Sequence, residues 1–157
     1  MKEIGLRSDY VERLGNLCLE NELYVLPCDY FYEMNEINLG DCFVLNLDNS
    51  RLKGSHYVGL FISSEGALFF DPLGFPLMNV DIKNGLLKHG YTKINYSKKH
   101  VQSGVSFHCG FFVIAFLIIV SKGKSMNEFI SLFSDDDFKG NEQIAISIIE
   151  EQLAEMY

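Results

Sequence analysis

The chain is short of four things, and each shortage removes a class of protein. It has no CxxC pair: Cys18, Cys28, Cys42 and Cys109 stand ten or more residues apart, with no histidine near enough to complete a zinc pattern. They read as four reduced thiols in a reducing compartment, not as a disulfide framework. It has no long apolar run, since the longest, Phe111 to Val120, is about half of what a membrane-spanning helix requires. The opening "MKEIGLRSDYVERLGNL" carries charges throughout and has no apolar h-region, so secretion is not expected. Basic residues are also scarce, 13 against 21 acidic ones for a net charge of −8, and Lys98, Lys99 and His100 form the one basic cluster. Such a surface repels a nucleic-acid backbone, and nucleic acid is not an expected partner.

What is present is a foldable core. At 157 residues, with 48% hydrophobic residues, 13 Phe and 8 Tyr, the chain fits one domain over 1–157. About two-thirds of its unfolded surface can be buried at that size. The spacing of Tyr10, Val11, Leu14, Leu17 and Cys18 after Ser8 predicts an opening helix to about Glu22. "ELYVLPCDY" reads as an extended link. "GDCFVLNLD" is a strand, and "SHYVGLFISSEGALFFD" is a hairpin turning at Ser63 to Gly66. "FDPLGFP" is a turn-rich exit, "KNGLLKHG" a short helix or turn, and "YTKINYS" a further strand.

From Gly110 the pattern predicts a helix of about eleven residues, apolar on all sides and therefore buried, ending at Gly123. A capping box, Ser125 with Glu128, opens "SMNEFISLF", and "SDDDF" reads as a solvated helix entrance. A last amphipathic helix, roughly Asn141 to Met156, carries the stripe Ile144, Ile148, Ile149 and Leu153. The order predicts an α+β fold: a mixed, mostly antiparallel sheet packed by helices, one of them buried with Cys109 at its amino end.

That position gives Cys109 chemical interest. The amino end of a helix favours an anion and therefore a thiolate, and its free N–H groups can face an oxyanion. A cysteine nucleophile also needs an imidazole, and a third group to orient the imidazole. His108 is adjacent in sequence, but neighbours on a turn into a helix point apart, so it is a poor base. His56 begins the first hairpin strand and Asp71 ends the second. A turn centred near Ser63 and Ser64 sets them directly opposite, with Cβ atoms about 5 Å apart; a later turn slips them by a few residues. Gln102, on a Gly- and Ser-containing loop upstream, can return its side-chain amide as an oxyanion donor, a contact typically worth about 3 kcal/mol in the transition state.

The motifs "GSHYVGLF", "LFFDPLGFP" and "VQSGVSFHCGFFVIAFL", in this order between about Tyr24 and Leu117, resemble the adenovirus maturation protease (adenain) family. That family has relatives in virophages, polinton-type transposons and invertebrate DNA viruses, and more distant ones among the proteases of ubiquitin-like proteins. The resemblance implies a papain-like cysteine protease architecture with His56 as general base and Asp71 as the acidic member, a place the family fills with Asp, Glu or Asn. It makes Gln102 the oxyanion glutamine, Cys109 the nucleophile and Gly110 the small residue that admits substrate. Tyr57 stands where many relatives have Trp, beside the substrate site. His108, often Asp or a small residue, receives no role.

The implied function is a cysteine endopeptidase that cuts viral capsid and core precursor proteins at Gly-containing sites during virion maturation. It would act as a monomer in the virion and infected cell, with precursor polypeptides as partners and no membrane. No cofactor or metal is required by the sequence; an activating peptide from a capsid precursor is implied. The family's DNA activation is not expected in so acidic a chain. Tyr91 stands where adenain has the cysteine that joins its peptide, so disulfide activation is not expected either. Two other readings keep the fold: an isopeptidase acting on host ubiquitin or SUMO-like modifiers, and an inactive precursor-binding assembly factor.

Overall fold

A computed structural model describes residues 8–48, 50–51, 56–103 and 108–157 of the chain. Gly54 and Ser55 of the "GSHY" motif, and Gly104 to Phe107 of the loop before Cys109, lie outside the described residues. Its centre is a five-stranded sheet: β1 (Leu23–Pro27), β2 (Cys42–Asn46), β3 (Tyr57–Ser63), β4 (Gly66–Phe70) and β5 (Ile94–Tyr96), side by side in that order. The inner pairs are antiparallel, and the two outer pairs, β1 with β2 and β4 with β5, are parallel. The fold is thus α+β with a mixed sheet, as the sequence predicts.

The alternation of side chains along the strands divides the interior into two cores. Cys42 and Val44 of β2, Tyr57 and Phe61 of β3 and Phe70 of β4 face one side. There they meet α1 (Ser8–Cys18), α4 (Cys109–Ser121), α5 (Met126–Ile130) and α6 (Phe138–Met156). Phe43 and Leu45, then Val58, Leu60 and Ile62, then Ala67 and Phe69 face the other, against α2 (Cys28–Glu33) and α3 (Val80–Lys88). A strand covered on both faces has no polar side to show, and β2 accordingly reads as the unbroken run "CFVLN".

The predicted buried helix is α4, nearly all of it inaccessible, and Cys109 is its first residue. It lies directly on β3 because Gly59 has no side chain. A Cβ there would stand 2.8 Å from Phe116 Cδ2 and 3.0 Å from Val113 Cγ1. Phe116 then stacks on Phe70, with Phe129 edge-on to both. The capping box of Ser125 and Glu128 opens α5, and Asp137 of the acidic run accepts the Gly140 N–H as the cap of α6. The acidic run is therefore a helix entrance, and α6 starts three residues earlier than its apolar stripe suggests.

The segment "ELYVLPCDY" differs from the expectation. It is not a link but the edge strand β1 followed at once by α2. Its partner is β2 in parallel register, so no hairpin turn marks it in the sequence. Pro27, which looks like a strand breaker, sits at the last position of an edge strand, where its missing N–H costs nothing.

Candidate active site

Four expected residues gather at the end of the sheet where β3 begins and β4 ends. The hairpin turns on Ser64 and Glu65, with Ser63 paired to Gly66 and Gly59 to Phe70. This is the later turn, so His56 and Asp71 are offset by two positions instead of standing directly opposite. Both lie just beyond the ladder, and their side chains close the gap: His56 Nε2 is 2.7 Å from Asp71 Oδ1. Asp71 is 3% exposed, and the same Oδ1 accepts the Leu73 N–H at 2.9 Å in the turn through Pro72. An ionised carboxylate only accepts hydrogen bonds, so Nε2 carries the proton and Nδ1 is left for the thiol.

Cys109 reaches this pair from α4. Tyr57 N–H donates to its Sγ at 3.4 Å, and the sulfur is near enough to His56 to act on its titration. The backbone explains the first contact. Even-numbered residues of β3 bond to β2, as in Ile62 N–H to Asp41 O and Leu47 N–H to His56 O. Tyr57 N–H therefore points to the β4 side, where the ladder has already ended, and the sulfur takes the place of a strand partner. Burial alone would lower the His56 pKa, but the hydrogen bond to Asp71 and then the nearby Cys109, with the charges of both, raise it to about 9. The imidazolium form is thus the stable one at neutral pH.

Gln102 is 2% exposed and is pinned by its backbone to the same turn. Val101 N–H and Gln102 N–H both donate to Pro72 O, at 2.9 and 3.2 Å. Gly74, at φ +82°, lets the chain return this closely, since a Cβ there would lie 2.8 Å from Lys98 O. The turn that fixes Asp71 also fixes the segment bearing Gln102.

The remaining expected residues separate. Tyr57 is 8% exposed, and its ring lies in the core beside α4; its backbone is what meets Cys109. Gly110 is buried in the first turn of α4. Phe75 is exposed and lines an apolar cavity of about 340 Å³ that shares Asp71 with the site, together with Leu47, Phe69 and Met78. The other histidines are engaged elsewhere: His89 on Met34 O, His100 on the Phe138 ring, and His108 on Glu142, 3.2 Å from Nδ1. Among the described residues, no group of three or more His, Cys, Asp or Glu is placed to hold a metal ion. None of the described helices is long and apolar enough to cross a membrane.

Fold and site together define an α+β protein with a histidine–carboxylate pair and a cysteine gathered at one end of its sheet. The sequence matches no protein-family model and no curated protein. Eleven chains of known structure match the fold. One is the ASFV pS273R protease, solved as selenomethionine protein, at a TM-score of 0.56 and 19% identity over 91% of this chain and 67% of that one. The shared property is the architecture.

Proposed function

We propose that the chain is a cysteine endopeptidase with Cys109 as nucleophile, His56 as base and acid, Asp71 as orienting carboxylate and Gln102 as oxyanion donor. The observation that carries this reading is the 2.7 Å contact of buried Asp71 with His56, beside a Cys109 sulfur held at 3.4 Å by the N–H of the next residue, Tyr57. Asp71 holds one ring nitrogen and favours imidazolium, which leaves His56 placed to serve a cysteine nucleophile as base and then as acid.

The thiolate attacks the scissile carbonyl carbon, and the carbonyl electron pair moves to oxygen. That oxyanion takes hydrogen bonds from the Gln102 side-chain amide and the Cys109 N–H, a first-turn donor with no acceptor in its own helix. As the C–N bond breaks, the leaving amine takes the Nδ1 proton of His56. Water then gives a proton to His56, attacks the thioester and releases the acid and the thiolate. By its resemblance to the adenain family, Gly110, the small residue after the nucleophile, lets an approaching peptide come close.

By its resemblance to the adenain family, and with a viral protease of the same fold, the substrates are viral capsid and core precursors cut at Gly-containing sites. An activating peptide from such a precursor belongs to the same reading. The test is cleavage of a Gly-Gly-type precursor peptide. Wild-type protein is expected to cut it and Cys109→Ala to have no activity; persistent cleavage in that variant would sink the assignment.

A further inference from the structure

Two adjacent residues on the first turns of α6 reach Val101, immediately before Gln102, and His108, immediately before Cys109. Asn141 is fully buried. Its Nδ2 donates to Val101 O at 3.0 Å and to Ser134 O at 2.9 Å, while its Oδ1 accepts the Ser134 N–H at 2.8 Å. All three of these bonds go to backbone, and one of them is to the carbonyl immediately before Gln102. Glu142 follows, with Oε1 3.2 Å from His108 Nδ1, immediately before Cys109. From the opposite side, Pro72 O takes the Val101 and Gln102 N–H groups. Val101 is therefore gripped on its N–H by the turn of Asp71 and on its C=O by α6.

We propose that Asn141, supported by Glu142, is a positioning residue that sets the place of Gln102 relative to Cys109. The proposal rests on the protease reading and deepens it. A segment that must carry an oxyanion donor needs its backbone fixed to a fraction of an ångström, because the donor acts only at the position the oxygen will occupy. A buried amide from another element supplies the restraint through hydrogen bonds of fixed direction. Glu142, on a half-exposed pair, fixes the entry to α4 less firmly.

The test separates oxyanion chemistry from thiol chemistry. A peptide aldehyde adds to the thiolate: a C–S bond forms, the carbonyl π pair moves to oxygen, and the oxyanion donor holds it. Iodoacetamide alkylates the same sulfur by displacing iodide and makes no oxyanion. Asn141→Ala is expected to lower kcat on the precursor peptide and to weaken aldehyde inhibition by about tenfold or more, with KM nearly unchanged. The rate and pH dependence of Cys109 alkylation should stay as in wild type.

In a Gln102→Ala background the same substitution should cost almost nothing, because the group it positions has gone. Glu142→Gln should give a loss in the same direction of only a few fold. Where Asn141→Ala melts below the assay temperature, Asn141→Asp keeps the acceptor for Ser134 and carries the same comparison. Equal losses with and without Gln102, or a parallel fall in alkylation, would overturn the proposal and leave Asn141 a stabilising residue. Failure of the protease reading shows separately, as wild-type cleavage that is absent or survives Cys109→Ala, and it takes the proposal with it.

Discussion

His56 Nε2 and Asp71 Oδ1 meet at 2.7 Å although the ladder that brings them together has ended before either residue. The contact is thus made by the hairpin ends and not by cross-strand pairing. It is secured from the Asp71 side, where the Leu73 N–H fixes the carboxylate in its turn. Burial would lower the imidazole pKa, but Asp71 first and Cys109 after it raise it to about 9. The protonated imidazole needed by the leaving amine persists below that value and is lost as pH rises through it. The cleavage rate of wild-type protein should therefore fall on an alkaline limb near pH 9. Asp71→Asn keeps an acceptor for the ring and removes the charge, so the limb should move to lower pH with cleavage retained in part. Asp71→Ala should lose far more, about a hundredfold, since the ring is no longer held. An unmoved limb in Asp71→Asn would deny the carboxylate its electrostatic part, and pH profiles of kcat/KM decide the matter.

The four thiols should differ sharply toward an alkylating agent. Cys42, wholly inaccessible and beside Asp41, is pushed up to about 12, and burial raises Cys18 and Cys28 as well. Cys109 alone sits against an imidazolium. Brief treatment of native protein with iodoacetamide at neutral pH, followed by peptide mass mapping, should place the label at Cys109. His56→Ala should abolish that preference. Label spread evenly over the four positions would mean that Cys109 is not activated.

The site could be read in the sequence only as far as its side chains carry local signals. Asp71 before Pro72, His56 at a strand end and Cys109 before an apolar run are visible because each sits at a change of pattern. The offset of His56 from Asp71 is not written in either residue, since one residue in the turn decides it. The Tyr57 N–H on the sulfur is a backbone donor, which no residue type announces, and Asn141 looks like any polar residue near a helix start. The same division runs through the fold. The hairpin, α4 and the capping box of α5 are written in turn residues and periodicity. β1 is not, because a parallel edge strand owes its existence to β2, nearly twenty residues downstream.

Gly74 should behave as a coupling point between the Asp71 turn and the Gln102 segment. Its φ of +82° and the 2.8 Å distance from a Cβ to Lys98 O both oppose a side chain. Gly74→Ala is expected to lower stability by about 1–3 kcal/mol, and to lower kcat through displacement of residues 98–102. Urea unfolding and peptide cleavage measure the two effects. Loss of stability with unchanged kcat would mean that the segment returns to place without the close approach.

Gly59 tests whether the seating of α4 on the sheet sets the geometry of the thiol. An added methyl would press on Phe116 at 2.8 Å and on Val113 at 3.0 Å, both wholly buried side chains. Phe116 is also locked between Phe70 and Phe129, so it cannot turn away without disturbing the aromatic cluster. The helix must then lift from β3, and Cys109, its first residue, must move relative to the Tyr57 N–H that begins the same strand. Gly59→Ala is expected to cost about 1–3 kcal/mol by overpacking. Beyond that loss, the folded fraction should show slower Cys109 alkylation, because the sulfur leaves both its backbone donor and the imidazolium. Thermal melts give the first quantity and timed labelling below the transition gives the second. A destabilised protein that labels at the wild-type rate would show that the amino end of α4 is held by the site itself, independently of how the rest of the helix is seated.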